Sequence, residues 1–508
     1  MTVYVGREKT IPQMILNPAN RALFARPATP IIPAAPVMIA APVIPANVSV
    51  AQTLLQRQVQ RNAQTHAQYL EVERAFYRKL SGLLSDSDSP RTSVAAPDIG
   101  LRPLFDLAQL LELTNGSVAK VLGPDYAEAD TYAIRTRMPS PPYMFVSRIT
   151  AMTAKKGVLE PCFIEWEYDL EPDAWFVSGG HVPAFVSLES SHAMIVAFTL
   201  IGCDQIFKGQ LRYRAVDSQT TIYGNMPRPG EVLKGRVDIL SFVKAGKNII
   251  VSYRYLCHVG DRLAFKLEAS SGFFTLKDME RSKGVNSAPY LKNTGSIKSF
   301  QPPLFCSKSM FTEADMKALQ HGDYATCFGA AYPNAPGVQL YATDSKMLDR
   351  VASVDLRGGA FGLGLVIGER DIDPAHWAFK AHFKNDPVMP GTLLVEGCEQ
   401  LVKFYLCYLG LYSLPNLTPH ALTDHKYSAK FRGEVKCEHE TLRYRLTCKS
   451  IKCTYEDDDK TLHSMSLVFV AEILYRDNII GICDNLGAGF TRSTVTALAK
   501  PLPLGEPA

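Results

Sequence analysis

Two stretches of the chain repeat the same landmarks in the same order at a nearly constant spacing. Four pairs recur at offsets between 202 and 207 residues: Gly116 and Gly322, Arg148 and Arg350, Trp175 and Trp377, and Pro183 and Pro390. The first pair opens the same motif in both stretches, Gly-x-x-Ala-x-x-Leu/Phe-Gly-x-x-Tyr. Several ordered matches at one spacing indicate an internal duplication. We therefore predict two copies of one structural unit, over residues 99–298 and 299–500.

Each copy has a helical start, then strands, then one apolar helix, then long strand-rich segments. The helix of the second copy, LLVEGCEQLVKFYLCYLG at 393–410, is apolar on nearly every side. Such a helix must be covered all round by other parts of the protein. An antiparallel sheet curled around it is the economical solution, so the sequence predicts an α+β layer architecture.

The two ends of the chain differ in composition from these copies. Residues 26–47 are rich in proline and alanine, which favours an extended linker. Residues 52–84 contain neither Gly nor Pro until Gly82, and they have the apolar spacing of an amphipathic helix. We predict that residues 1–98 form a largely disordered or helical extension and that 501–508 form a linker tail.

Composition excludes several classes of protein. A length of 508 residues suits two or three domains, and a net charge of +4 does not favour a nucleic-acid surface. The absence of a run of about 20 apolar residues argues against a membrane span. The first residues, MTVYVGREKT, lack the pattern of a secretory signal. The 11 cysteines never form a Cys-x-x-Cys pair, which favours reduced thiols in a cytoplasmic protein over disulfides or a zinc site.

The stretch HFKNDPVMPG, residues 382–391, carries the residues with the clearest chemistry. Pro390 and Gly391 are typical of a helix start, because proline suits the first turn and glycine allows close approach of the backbone. The free N–H groups of that turn can hold a developing oxyanion. His382 has an unperturbed pKa near 6.5 and can therefore act as a neutral base.

The predicted helix after this stretch adds an acid. Glu396 and Gln400 are four residues apart and share one helical face. Burial of Glu396 in an apolar helix would raise its pKa and let it donate a proton. A base, an acid and oxyanion donors together suit abstraction of a proton beside a carbonyl and expulsion of a β-hydroxyl group.

HFKNDPVMPG, with Glu396 fourteen residues after His382, closely resembles the β-hydroxyacyl-ACP dehydratases of the hot-dog fold. The nearest branch is the dehydratase/isomerase type, which usually has Asp at the acid position. Glu396 matches the dehydratase-only branch, which leaves double-bond isomerisation open. Two copies after a Pro/Ala linker resemble the dehydratase didomain of polyunsaturated fatty-acid synthases, and the resemblance covers about 400 of the 508 residues.

The resemblance implies a double hot-dog, in which two curled antiparallel sheets each wrap a central helix. It also implies that each site takes its histidine from one hot-dog and its acid from the other. His382 would then face Glu189, which follows Pro183 as Glu396 follows Pro390. The second site would combine Glu396 with Gly180 or His181 and would be weak or inactive, because copy one lacks the HFxxDPVMPG loop.

The implied substrate is a β-hydroxyacyl chain on an acyl carrier protein, which brings its own phosphopantetheine arm. We therefore expect no metal and no other cofactor, with Gly391 and Pro390 shaping the oxyanion site and Gln400 positioning the substrate. The resemblance further implies an intrachain pseudo-dimer that works with other fatty-acid or polyketide synthase domains. A further homodimer stays open.

Two other functions remain open from the sequence: a hot-dog acyl-ACP thioesterase and a non-catalytic acyl-binding module of a synthase. The thioesterase would release a free acid and would not need His382. We interpret His192, three residues after Glu189, as a packing residue, and the acidic run at 456–459 as a solvated turn.

Overall fold

The computed structural model describes residues 103–492, apart from 225, 294, 296–299, 335–339, 342, 415 and 457–460. These residues belong to one compact unit of the chain. The predicted N-terminal extension, most of the acidic turn and the tail at 501–508 lie outside the described residues.

The first half contains six strands and several short helices. Its elements are α1 Leu107–Asn115, α2 Val118–Leu122, β1 Arg148–Met152, β2 Cys162–Asp169, α3 Ala184–Glu189, α4 Met194–Ile201, α5 Cys203–Ile206, β3 Arg212–Ile222, β4 Val232–Ala245, β5 Asn248–Val259, β6 Arg262–Phe274 and α6 Leu276–Glu280. Short 3₁₀ turns cover Pro124–Thr131, Ser190–Ala193 and Ala288–Leu291.

The second half follows the same plan with a longer central helix. Its elements are α7 Glu313–Gln320, α8 Tyr324–Phe328, β7 Arg350–Asp355, β8 Leu365–Ile372, α9 Trp377–Ala381, α10 Gly391–Tyr408, β9 Leu417–His420, β10 His425–Phe431, β11 Glu440–Tyr455, β12 Leu462–Tyr475 and β13 Asn478–Arg492. Short 3₁₀ turns cover Thr343–Ser345 and Leu411–Ser413.

The strands form one antiparallel sheet with the order β1-β2-β4-β5-β6-β3-β10-β13-β12-β11-β8-β7, and β9 pairs with β13. The two halves meet where β3 pairs with β10, with Gln219 opposite Ser428. This pairing removes two free strand edges, which would otherwise be open to association with other chains. The α+β double hot-dog is therefore the observed fold, and its two curled sheets are joined edge to edge.

The central helix of the second half, α10, begins where the sequence predicts. Pro390 is its N-cap and Gly391 its first residue, and most of its side chains are buried. Gly397 lets β11 approach closely, because a Cβ at this position would lie 2.2 Å from the ring of Tyr444. The helix is apolar on nearly every side because strands and neighbouring helices enclose it.

The central helix of the first half is interrupted, which the sequence pattern did not indicate. A 3₁₀ turn, Ser190–Ala193, separates α3 from α4. The hydroxyls of Ser190 and Ser191 donate to the carbonyls of Ser187 and Leu188, both at 2.7 Å. Local side-chain bonds of this kind compete with regular helical bonding.

The stretch Ala184–Ile201 has the length and apolarity to cross a membrane, with a mean hydropathy of 1.6 over 18 residues. In the folded protein 72% of this stretch is buried, as expected for a core helix. Its packing inside the sheet accounts for its apolarity. The expectation of no membrane span stays a prediction.

Equivalent positions of the two halves make equivalent contacts. Arg148 Nε donates to Glu167 at 2.8 Å, Arg350 Nε donates to Glu369 at 2.8 Å, and Trp175 and Trp377 each donate to a backbone carbonyl. The two indole rings also meet, with centroids 5.1 Å apart. These contacts recur at the spacing of 202 residues seen in the sequence. The boundaries at 99, 298 and 500 remain predictions.

Candidate active site

The imidazole of His382 is held by its own loop at the end of α9. His382 N–H donates to the carbonyl of Ala378 at 2.8 Å, and ring Nδ1 lies 3.2 Å from the carbonyl oxygen of Val388. Since a carbonyl can only accept, Nδ1 carries the hydrogen and Nε2 presents a free lone pair. The side chain is buried, so this lone pair faces a protected space.

Burial lowers the pKa of His382 to about 4, because the interior disfavours the imidazolium. The neighbouring His192 and Arg214 act in the same direction, and the carboxylate of Glu189 acts against them. His382 is therefore neutral at cellular pH, which is the form that a general base requires.

We expect this shift to make stability depend on pH. Between pH 6.5 and about 4 the unfolded chain protonates His382 while the folded chain does not, so this group lowers the free energy of unfolding as pH falls. At pH 5 the contribution is about 2 kcal/mol. In thermal melts, the Tm of the His382→Gln variant should fall less between pH 7 and pH 5 than the Tm of the wild type. An equal loss in both proteins would contradict the lowered pKa.

Glu189, at the end of α3, meets His382 across the junction of the two halves. Its Oε1 lies 3.6 Å from Nε2 of His382, and its side chain is buried. Its other oxygen, Oε2, accepts a hydrogen bond from Thr392 Oγ1 at 2.5 Å. The fold thus brings together the histidine of the second half and the acid of the first, which is the crossed arrangement implied by the resemblance.

Two residues that the sequence analysis did not single out complete the support of this carboxylate. Thr392 follows Gly391 in the first turn of α10, and Tyr143 is fully buried beside it. Their hydroxyls lie 2.7 Å apart. Because Thr392 donates to Glu189, the hydrogen of that pair comes from Tyr143. Thr392 could have been predicted from the sequence, because it is the polar residue next to the predicted oxyanion glycine. Nothing in the sequence around Tyr143 indicates that it belongs to the site.

His192 also lies in the site, where its ring packs against Tyr213 and His382 as the packing interpretation expects. Its Nδ1 is 2.9 Å from Oε1 of Glu189 but directs its hydrogen at the Glu189 backbone carbonyl, 3.2 Å away. Oε1 accordingly has no aligned hydrogen-bond donor. The reactive atoms of His192, His382 and Glu189 all lie within 4.8 Å of one another.

The charges of this cluster favour an ionised carboxyl. Burial would raise the pKa of Glu189, but the two histidines and the Thr392 hydroxyl outweigh it and lower the pKa. Burial would lower the pKa of His192, but the Glu189 carboxylate outweighs it and raises the pKa. The two shifts together favour an ion pair of the Glu189 carboxylate and the His192 imidazolium.

The cluster opens into a cavity of about 120 Å³. Gly391 and Thr392 line it at the start of α10, and Leu188, Tyr213 and Tyr427 form part of its wall. A second cavity of about 260 Å³ adjoins it and shares Leu188 and Tyr427. The first N–H groups of a helix have no intrahelical acceptor, so the α10 start can offer them to a bound carbonyl.

The remaining predicted residues line a third cavity of about 160 Å³, which shares Glu399 and Lys403 with the second cavity and is not lined by His382. Glu396, Gln400 and His181 line it, and His181 is exposed. Gln400 donates to Glu396 at 2.9 Å and to the carbonyl of Ser345 at 2.8 Å. Burial raises the pKa of Glu396, because the hydrogen bond from Gln400 and the nearby Lys403, which act in the opposite direction, do not outweigh it. Glu396 and His382 therefore line different cavities and do not form a pair.

Residues 342–470 match the model of a protein family described as the FabA-like domain. This part of the second half is therefore similar to the FabA-like domain. Its matched range includes His382, Gly391 and Glu396, while Glu189 comes from the half that the family model does not reach. The dehydratase resemblance of HFKNDPVMPG is thereby confirmed.

The chain is also similar to one of the subunits of the polyunsaturated fatty acid synthase of Thraustochytrium sp., with 29% identity over 384 residues. That match covers 73% of this chain and 25% of the relative, so the chain spans about a quarter of the length of the curated relative it matches. The predicted resemblance to these synthases is confirmed.

Solved structures similar in fold include dehydratases and thioesterases. The dehydratase domain from the CurJ module of curacin polyketide synthase is 9% identical, with a TM-score of 0.32, covering 68% of this chain and 96% of that one. The 12:0-ACP thioesterase from Umbellularia californica is 8% identical, with a TM-score of 0.32 and coverages of 65% and 94%. At such scores these likenesses carry no argument about function.

Proposed function

We propose that the chain dehydrates a β-hydroxyacyl group carried on an acyl carrier protein and forms the trans-2-enoyl thioester. The observation that carries this proposal is the meeting of His382 and Glu189. A neutral imidazole nitrogen and a carboxylate oxygen without an aligned donor face each other at 3.6 Å beside a cavity. This spacing suits a substrate whose α-hydrogen and β-hydroxyl are removed together.

Each group has one task in the proposed reaction. His382 Nε2 takes the α-proton, and the electrons of the broken C–H bond form the new double bond. The β-carbon–oxygen bond breaks, and the departing hydroxyl takes a proton delivered at Oε1 of Glu189 to leave as water. The N–H of Gly391 would polarise the thioester carbonyl from the start of α10. Pro390 sets that start, so the donor is fixed before substrate binds.

The cluster around Glu396 is proposed to be weak or inactive in this reaction. Gln400 is tied to Ser345 and also accepts from the backbone N–H of Met347 at 2.9 Å, which suits a structural role better than substrate positioning. His181 is exposed, whereas His382 is buried.

The assembly around the chain is likewise a proposal. The substrate supplies the phosphopantetheine arm, and the absence of a metal requirement stays a prediction. Similarity to a component of a fatty acid synthase supports association with other synthase domains, among them an acyl carrier protein. The 11 cysteines, all free thiols in the described residues, support a cytoplasmic location.

The decisive assay incubates the protein with a β-hydroxyacyl-ACP and follows the absorbance of the conjugated enoyl thioester. Mass spectrometry of the carrier protein should show an acyl chain that has lost one water. Release of a free hydroxy acid would identify a thioesterase instead, and an unchanged bound chain would identify an acyl-binding module.

Thr392 offers a graded test of the carboxylate's support. Thr392→Val removes the donor to Oε2, and hydrogen bonds to charged groups contribute about 1.5–3 kcal/mol. We expect kcat to fall roughly 10- to 100-fold in steady-state assays. Thr392→Ser keeps the hydroxyl and should stay near the wild type; an equal fall in both variants would contradict the assigned contact.

A further inference from the structure

The proposed reaction leaves one proton without a source. Glu189 must deliver a proton to the departing hydroxyl, yet its surroundings favour the ionised form. The groups that face its carboxyl are His192 from the first half and His382 and Thr392 from the second, with Tyr143 behind Thr392. His382 has to be neutral to act as the base, and neither hydroxyl is acidic enough to replace it.

His192 is placed to hold this proton. Its Nδ1 lies 2.9 Å from Oε1, the oxygen without an aligned donor, and only 13% of its side chain is exposed. Its ring packs edge-on against Tyr213 and His382, with centroids 5.9 and 5.8 Å away. Arg214, on β3, also lines the cavity but pairs with Asp386 at 2.7 Å. The charge of Arg214 is therefore already balanced by the carboxylate of Asp386.

We propose that His192 is a positioning residue that supplies, through Glu189, the proton taken by the departing hydroxyl. The inference deepens the proposed dehydration and rests on it. It assigns the protonated state at rest to the imidazole of His192, the ionised state to Glu189 and the neutral state to His382.

The proton steps balance over one turnover. The Nδ1–H bond of His192 breaks as Oε1–H forms, after a small rotation that turns the hydrogen from the backbone carbonyl to the carboxylate. Oε1–H then breaks as the hydroxyl leaves as water, while Nε2 of His382 gains the α-proton. The resting state returns when that proton passes from His382 through Oε1 back to His192. All three atoms lie within 4.8 Å of one another, which suits this circuit.

The test compares His192→Gln with the wild type in the enoyl-thioester assay, across pH. Glutamine can still donate a hydrogen bond but cannot supply a proton. We expect kcat to fall at least about tenfold at pH 7, with KM within a few-fold, since acid–base groups contribute roughly 10²–10⁴-fold. Activity of the variant should rise as pH falls, because Glu189 must then take its proton from solution. In the wild type kcat should fall above the pKa of His192.

Chemical rescue and a matched control separate this role from a structural one. His192→Gly should be inactive alone and regain turnover with added imidazole. His258→Gln, on β5 and outside the cavity lining, should keep the wild-type pH profile. Turnover of the wild type should also persist in EDTA, since a proton and no bound cation faces Oε1.

The outcomes are distinguishable. A wild-type protein that forms no enoyl thioester overturns the proposed function together with this inference. An active wild type whose His192→Gln variant keeps both kcat and the pH profile overturns this inference alone. Loss of wild-type turnover in EDTA would also overturn the inference about His192 alone.

Discussion

Replacing His382 with asparagine should abolish most of the dehydration, lowering kcat roughly 10²–10⁴-fold. The imidazole is the proposed base at the junction of the halves, and asparagine keeps a polar side chain without a proton-accepting nitrogen. KM should change little, because the apolar part of the cavity wall, which includes Leu188, Tyr213 and Tyr427, is left intact. Steady-state kinetics on β-hydroxyacyl-ACP measures both parameters.

The matched control for this variant is His181→Asn. His181 is exposed and lines the separate cavity beside Glu396, so its loss should leave kcat within a few-fold of the wild type. Retention of full activity in His382→Asn would remove the base from the mechanism. A hydrolase that directs water with a carboxylate would then describe the site better.

The second large effect should come from Glu189→Gln, with a loss of roughly 10²–10⁴-fold in kcat. Glutamine has nearly the same shape and can still accept from Thr392, but it cannot receive and pass on a proton. Circular dichroism and thermal melts should show a folded protein. The loss would then report chemistry, because the packing of α3 is unchanged.

Glu396→Gln is the natural comparison, since both glutamates stand six residues after the proline that precedes a core helix. We expect this variant to stay within a few-fold of the wild type, because Glu396 lines a cavity apart from His382. Turnover lost only in Glu396→Gln would refute the crossed pairing. Turnover lost equally in both would instead indicate two working sites.

Much of the fold was predictable because its signals are local. The apolar stretch after Pro390-Gly391 predicted a helix that had to be enclosed, and α10 is that helix. Long alternating segments predicted the strands that enclose it. The break in the first core helix was not predictable from apolarity, because it depends on where the hydroxyls of Ser190 and Ser191 find their acceptors.

The residues of the candidate site also fall into those that the local sequence predicts and those that it does not. His382, Gly391 and the acid positions were predicted from one motif and its spacing in the repeat. Thr392, Tyr143 and the role of His192 were not, because each depends on a contact between elements far apart in the chain or on local backbone geometry. A histidine three residues after a glutamate has the spacing of a packed helical face, and the structure shows that Nδ1 lies 2.9 Å from Oε1 across the local 3₁₀ turn.

By itself the sequence determined the duplicated plan, the enclosed helix and the chemical types available to a site, because these follow from periodicity and composition. The tertiary structure decided which glutamate lies beside His382. That choice depends on the pairing of β3 with β10, which joins the halves and brings their core helices side by side. The pKa values of the two histidines depend equally on burial, which lowers the pKa of His382, and on the Glu189 carboxylate 2.9 Å from His192, which raises the pKa of that imidazole.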